Sequence, residues 1–203
     1  MDGNYKTGKQ KIMEIYTAIF GNIDAPRTDI KCFTGHNNFV YPVLNAKIYK
    51  ILSHQYIDSD ISIWIDGNIT LLCSPEELVD KFLGDADIGV FKHPVRNCIY
   101  KEEEELKKVP KVKQQLPIIR QQLEHYKASG YPDNNGLYEN GVIVRRHSKI
   151  IEEFNNAWWA EICRWSYRDQ LSFPVILEKF PSLKVKSNTG DVRRHPMFQY
   201  IKH

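Results

Sequence analysis

Short apolar runs and amphipathic stretches take turns along most of this chain, and that alternation constrains its fold more than any other feature. Ile12 to Phe20, Asp29 to Thr34, Ile61 to Ile65, Asp87 to Phe91 and Gly141 to Arg145 read as short buried strands. Between them, Ala46 to Tyr56, Tyr100 to Lys108, Pro117 to Lys127 and Lys149 to Arg164 carry apolar residues near helical spacing. Ser74-Pro75-Glu76-Glu77 reads as a helix start, with a capping serine, proline at the first helical position and acids in the first turn, running to about Leu83. Another helix is expected near Tyr167 and a short strand around Val185. Ala128 to Leu137 is a loop dense in Gly, Pro, Asp and Asn. This order predicts an α/β sandwich around a largely parallel sheet, in which ligands collect beyond the carboxyl ends of the strands.

At 203 residues the chain suits one domain. A net charge of +3 with interleaved acids and bases leaves no phosphate-backbone footprint, so nucleic acid is not expected as a partner. Cys32, Cys73, Cys98 and Cys163 are widely spaced without a C-x-x-C pair, which predicts reduced, mostly buried thiols and a cytoplasmic setting. No run approaches the roughly 18 apolar residues a membrane span needs, so a soluble chain is expected. Gly3 to Gln10 (G-N-Y-K-T-G-K-Q) imitates a phosphate loop, but it lacks the preceding strand and the hydroxyl after its lysine.

The candidate chemistry gathers at strand ends. In S-I-W-I-D-G-N a buried strand runs straight into Asp66, Gly67 and Asn68. A strand-end carboxylate with a second oxygen donor two residues on can hold a hard cation, and the glycine lets a phosphate approach the backbone. The same three residues also make an ordinary hairpin turn. Lys47 and Lys50 lie three apart, on one helical face, where they can meet a diphosphate or simply face solvent. His93 to Glu102 (H-P-V-R-N-C-I-Y-K-E) mixes His, Arg, Tyr and Glu after a strand, fitting either a polar pocket or a capped loop. Glu139 and Asn140 precede a buried strand and can read hydroxyls. Asp169, in R-D-Q-L-S, opens a helix as a dipole partner or a general base, and His195 stands in R-R-H-P.

Y-T-A-I-F-G-N-x-D, C-F-T, W-I-D-G-N, H-P-x-R-x-C-I-Y-x-E, N-G-V-I-V-R-R-H and R-D-Q-L-S occur in that order between Tyr16 and Ser172. Together they resemble a small branch of GT-A-type nucleotide-sugar glycosyltransferases. The resemblance implies a single Rossmann-like GT-A sandwich over residues 1–203, with a nucleotide-binding half at about 12–92 and an acceptor half at about 93–203. It implies a nucleotide site of Tyr16, Thr17, Ala18, Asp24, Phe33, Thr34 and Lys47 with Asp66 and Gly67. It further implies a Mn2+ or Mg2+ ion on Asp66, Asn68 and His195, with Asn68 standing where the family carries a second aspartate. Arg96 and Lys50 would assist departure of the nucleoside diphosphate, and Asp169 would be the base of an inverting transfer. His93, Glu139, Asn140 and Trp159 would line the acceptor and sugar side. The implied partners are a UDP-sugar donor and a glycan or glycoprotein acceptor. The alternatives are a binding module without turnover, or a nucleotide-sugar hydrolase or pyrophosphorylase, although the glycine-rich loop usual in pyrophosphorylases does not follow the first strand.

Overall fold

A computed structural model describes residues 11–21, 24–35 and 38–202; the Gly3 to Gln10 segment and His203 lie outside them. In chain order the elements are β1 (Lys11–Ala18), β2 (Lys31–Phe33), α1 (Pro42–Ile51), α2 (Ser53–Tyr56), β3 (Ser59–Ile65) and β4 (Ile69–Leu71). There follow α3 (Pro75–Leu78), which runs on as a wider π turn over Val79–Leu83, β5 (Ile88–Lys92), α4 (Ile99–Leu106), a 3-10 turn over Pro110–Gln115 and α5 (Leu116–Ala128). The last elements are β6 (Tyr138–Arg146), α6 (Lys149–Arg164), α7 (Asp169–Leu177), β7 (Val185–Asn188) and β8 (Phe198–Tyr200). The expected serine cap is present, with Ser74 Oγ accepting from the Glu77 N–H at 3.1 Å. The helix expected from Ala46 starts earlier, at Pro42, because proline suits a first helical position, and it breaks at Leu52, where ψ swings to 45°.

Among the described residues the main sheet has six strands in the order β2-β1-β3-β6-β5-β7. The β1–β2, β1–β3 and β5–β7 pairs are parallel, while β6 runs antiparallel to both β3 and β5. The sheet is thus the mostly parallel α/β arrangement that the alternation predicts, with one reversed strand near its middle. That reversal matters for the site: the N-terminal residues of β6 arrive at the edge where β1 and β3 end, and the Asp66 N–H donates to the Gly141 carbonyl at 2.8 Å. β4 does not fold back on β3 as a hairpin strand but pairs with β8 in a separate two-stranded ribbon.

Strand alternation decides which side chains meet which layer. Ile61, Ile63 and Ile65 of β3, with Val142 and Val144 of β6, pack on one face against Leu78, Phe82, Leu83 and Phe198. Trp64 and Ile143 point to the other face, into a cluster with Tyr49, Phe154, Trp158 and Phe173 of the helices. A third cluster joins α4, α5 and α7 through Ile99, Leu106, Ile119, Leu123 and Leu171. Arg145, on the helix-covered face of β6, is fully buried and donates from Nη1 to the Lys50 carbonyl at 2.8 Å, so a strand cation caps the end of α1. All four cysteines are free thiols, but only Cys98 is buried and Cys163 is exposed, which corrects the expectation of mostly buried thiols. No helix among the described residues is long and apolar enough to cross a membrane.

Candidate active site

A cavity of about 490 Å³ opens at the carboxyl edge of β1 and β3, roofed by α1 and by the start of α7. Ala18, Asp24, Lys47, Lys50, Asp66, Gly67, Asn68, Glu139, Asn140 and Asp169, drawn from six separate stretches of sequence, line it. An adjoining recess of about 350 Å³ takes in Thr34, Gly21 and Pro26, and shares Asp24, Phe20 and Pro42 with the main cavity.

Asp66 shares the helix-covered face with Trp64 two residues earlier, and the Trp64 indole N–H donates to its Oδ1 at 2.8 Å. The Lys50 ammonium reaches the same oxygen at 3.2 Å and Asp169 Oδ2 at 3.0 Å, while Lys47 meets Asp169 Oδ2 at 2.6 Å. The helical spacing of three puts both lysines on the side of α1 facing Asp169. The result is a network of two cations and two carboxylates, with Lys50 and Asp169 buried and Asp66 at its open end. Burial alone would discharge Lys50, yet Asp169 and Asp66 outweigh it and hold its pKa above the ordinary lysine value. Lys47 pairs with Asp169 and also feels the Lys50 charge, and burial pushes it down to about 8. Burial also opposes the charge on Asp169, but the two ammonium groups overcome it and hold its carboxyl far below the usual range.

Asp169, expected as the base of the reaction, is ion-paired through Oδ2 with both lysines, an arrangement that suits a shared counter-ion.

The two glycines at the cavity floor have a steric reason. A Cβ on Gly67 would stand 3.2 Å from Ile19 and 3.3 Å from Asp24 Oδ2; one on Gly141 would stand 3.1 Å from Ile69 and 3.4 Å from Asp66 Oδ2. Both allow carboxylates to close on the floor.

On the β6 side, pairing with β5 jumps from Ile143 opposite Val90 to Glu139 opposite Phe91, a bulge at the cavity rim. Asn140 is 3% exposed, and neither its carboxamide oxygen nor its nitrogen has a hydrogen-bond partner among the described residues. Glu139 is also buried, with Oε1 held by the Arg193 guanidinium at 2.5 Å and Oε2 unpartnered among those residues. Burial raises its pKa, and Arg193 only partly pulls it back.

Several expected residues fall elsewhere. Tyr16 and Thr17 are fully buried inside β1, the Tyr16 hydroxyl donating to the Tyr49 carbonyl at 3.2 Å. Phe33 stacks on Tyr49 with ring centroids 4.1 Å apart, and Trp159 packs edge-on against Phe39. His93 accepts the Arg96 backbone N–H at 3.0 Å, and Arg96 is tied to buried Glu102 at 2.7 Å, so this block is a capped turn outside the cavity lining, joined to it through Glu102 and Arg168 at 3.2 Å. The sequence reading missed Trp64, Arg168, Gln170, Arg193 and Tyr200, all of which line the cavity. Arg168 and Gln170 flank Asp169 in the quoted R-D-Q block, and Arg193 opens R-R-H-P, so adjacency was the available signal. Trp64 read simply as core.

The implied Mn2+ or Mg2+ set is not assembled in full: Asp66 and Asn68 line the cavity, and His195 does not. The His195 ring packs against Phe91 and Phe198, with centroids 5.3 and 5.5 Å away, outside the cavity lining. The Asn68 amide donates to the Ile201 carbonyl at 3.1 Å, and Asp66 Oδ1 is taken by Lys50 and Trp64. Among the described residues no three His, Cys, Asp or Glu side chains converge as a site made of protein ligands alone would have.

The family described as TOD1/MUCI70, glycosyltransferase-like domain, matches residues 35–203. The probable hexosyltransferase MUCI70 of Arabidopsis thaliana is 28% identical over 144 residues, covering 66% of this chain and 25% of that protein. The alkaline ceramidase TOD1 of Arabidopsis thaliana is 27% identical over 176 residues, covering 80% of this chain and 37% of that protein. The chain therefore spans well under half the length of these relatives. Among solved structures, a glycosyltransferase involved in glycosylation of the major capsid of PBCV-1 aligns over 94% of this chain and 92% of its own, at 11% identity and a TM-score of 0.48. Mouse xyloside xylosyltransferase 1 aligns over 78% of this chain and 63% of its own, at 14% identity and a TM-score of 0.39. With the match running from residue 35 to the last residue, the chain belongs to the TOD1/MUCI70 glycosyltransferase-like domain family.

Proposed function

We propose that this domain transfers a sugar from a nucleoside diphosphate sugar, with UDP as the expected nucleotide, to a hydroxyl acceptor such as a glycan. The observation that carries the reading is the pairing, in one cavity, of a buried and a part-buried lysine with a buried asparagine whose carboxamide has no partner among the described residues. An unpartnered buried amide costs free energy that a bound polar ligand recovers. Two ammonium groups in a low-dielectric wall suit the charge that develops on a departing diphosphate.

In this reading Lys47 and Lys50 face the diphosphate, Asp169 keeps both charged and in place, Asp66 anchors Lys50, and Asn140 reads a sugar hydroxyl. The recess around Thr34 and Asp24 has room for the base and ribose. Because His195 lies outside the cavity lining, this reading gives the electrostatic role to the lysines and assigns no step to a metal ion.

The test is calorimetric titration of UDP into the protein, followed by incubation with a panel of UDP-sugars and detection of released UDP. The relative named as a ceramidase suggests one further arm, a ceramide substrate assayed for released fatty acid. UDP binding with sugar-nucleotide turnover supports the reading; fatty-acid release without UDP binding overturns it.

A further inference from the structure

The transfer proposed above liberates a proton from the acceptor hydroxyl, and Asp169 already holds two lysines. Of the acidic side chains lining the cavity, Asp66 is engaged by Lys50 and Trp64, and Asp169 by both lysines. Asp24 sits at the recess, beside Gly67, with its Oδ2 against the floor. Glu139 differs from all three. It is 7% exposed, one carboxylate oxygen is pinned by Arg193, and the other is buried without a partner among the described residues. It stands next to Asn140, on the bulged rim of β6, where departure from the regular ladder re-aims side chains.

We propose, resting on the transferase reading, that Glu139 is the catalytic residue that accepts the acceptor hydroxyl's proton, with Arg193 as its positioning partner. The acceptor O–H bond breaks and its proton passes to Glu139 Oε2. The electron pair left on the acceptor oxygen forms the new bond to the anomeric carbon. The bond from that carbon to the diphosphate oxygen breaks, and its pair leaves with the nucleoside diphosphate beside Lys47 and Lys50. Burial, which raises the pKa of Glu139 against the pull of Arg193, makes it a better proton acceptor than an exposed glutamate. The other charged groups acting on it are Asp191, Arg96 and Glu102.

The experiment compares wild type, Glu139→Gln and Arg193→Met for UDP affinity, for transfer from the UDP-sugar that the wild type uses, and for the pH dependence of kcat, with thermal unfolding checked for each. Glu139→Gln is expected to lower kcat by at least about 100-fold with UDP affinity within about twofold of wild type, and to abolish the acid limb of the pH profile. Arg193→Met, at an exposed side chain, is expected to shift that limb to higher pH by removing the cation that pulls the Glu139 pKa down; a merely structural glutamate would show no such shift. If Glu139→Gln turns over like wild type, or if Arg193→Met leaves the limb unmoved, the Glu139 assignment falls and the transferase reading stands. If the wild type neither binds UDP nor consumes any UDP-sugar, the transferase reading falls and takes this one with it.

Discussion

Asp169→Asn tests the buried charge network most directly. The substitution keeps side-chain volume while removing the negative charge that Lys47 and Lys50 share, at 2.6 and 3.0 Å. Breaking one partner of a buried ion pair costs about 3–5 kcal/mol, because the remaining charge is left uncompensated. Asp66 still serves Lys50, so the lower part of that range is expected. With a urea dependence of about 2 kcal/mol per molar, a loss of about 3 kcal/mol moves the unfolding midpoint down by about 1.5 M. The pH dependence gives a second reading. The folded pKa of Asp169 is depressed, so its contribution is fully present above the unfolded carboxylate value of 3.8 and is lost as pH falls below it. The stability difference between wild type and Asp169→Asn should therefore shrink in acid. Equilibrium urea unfolding by circular dichroism at pH 7 and pH 3 measures both. A midpoint within about 0.3 M of wild type at pH 7 would correspond to less than about 1 kcal/mol and would refute the argument that this network is tightly coupled.

Other outcomes follow from the same geometry. Lys47 is down to about 8, so UDP affinity should weaken as pH rises through that value, and Lys47→Arg should remove the dependence; calorimetry at pH 7 and pH 9 reads this. UDP binding should be unchanged by EDTA, since the implied metal set is not assembled in full among the described residues, and a loss of affinity on chelation would overturn the lysine assignment. Asn140→Ala removes a side chain with no hydrogen bond to lose among the described residues, so thermal stability should fall by no more than about 1 kcal/mol while kcat/KM drops about 10-fold or more. Gly89→Ala places a Cβ against the Phe82 carbonyl and ring and should cost about 1–3 kcal/mol, lowering Tm by roughly 2–12 °C in a scanning melt.

Local periodicity determined a good deal about this protein by itself. Strand alternation put Trp64 and Asp66 on one face, the spacing of Lys47 and Lys50 put both ammonium groups on one side of a helix, and Glu139-Asn140 before a buried strand marked a rim. Such features are legible because neighbours within an element are related by a fixed geometry. What the elements meet was decided only by tertiary structure. That Asp169 serves the two lysines depends on where tertiary packing sets the start of α7 relative to α1, and no local signal separates a general base from a counter-ion at the start of a helix. Arg96 reads as a pocket cation until Glu102 pairs with it, and His195 as a ligand until its ring is found against Phe91 and Phe198. The antiparallel insertion of β6 between β3 and β5 carries Glu139 and Asn140 to the edge where Asp66 waits, because reversing a strand exchanges which of its ends reaches the site.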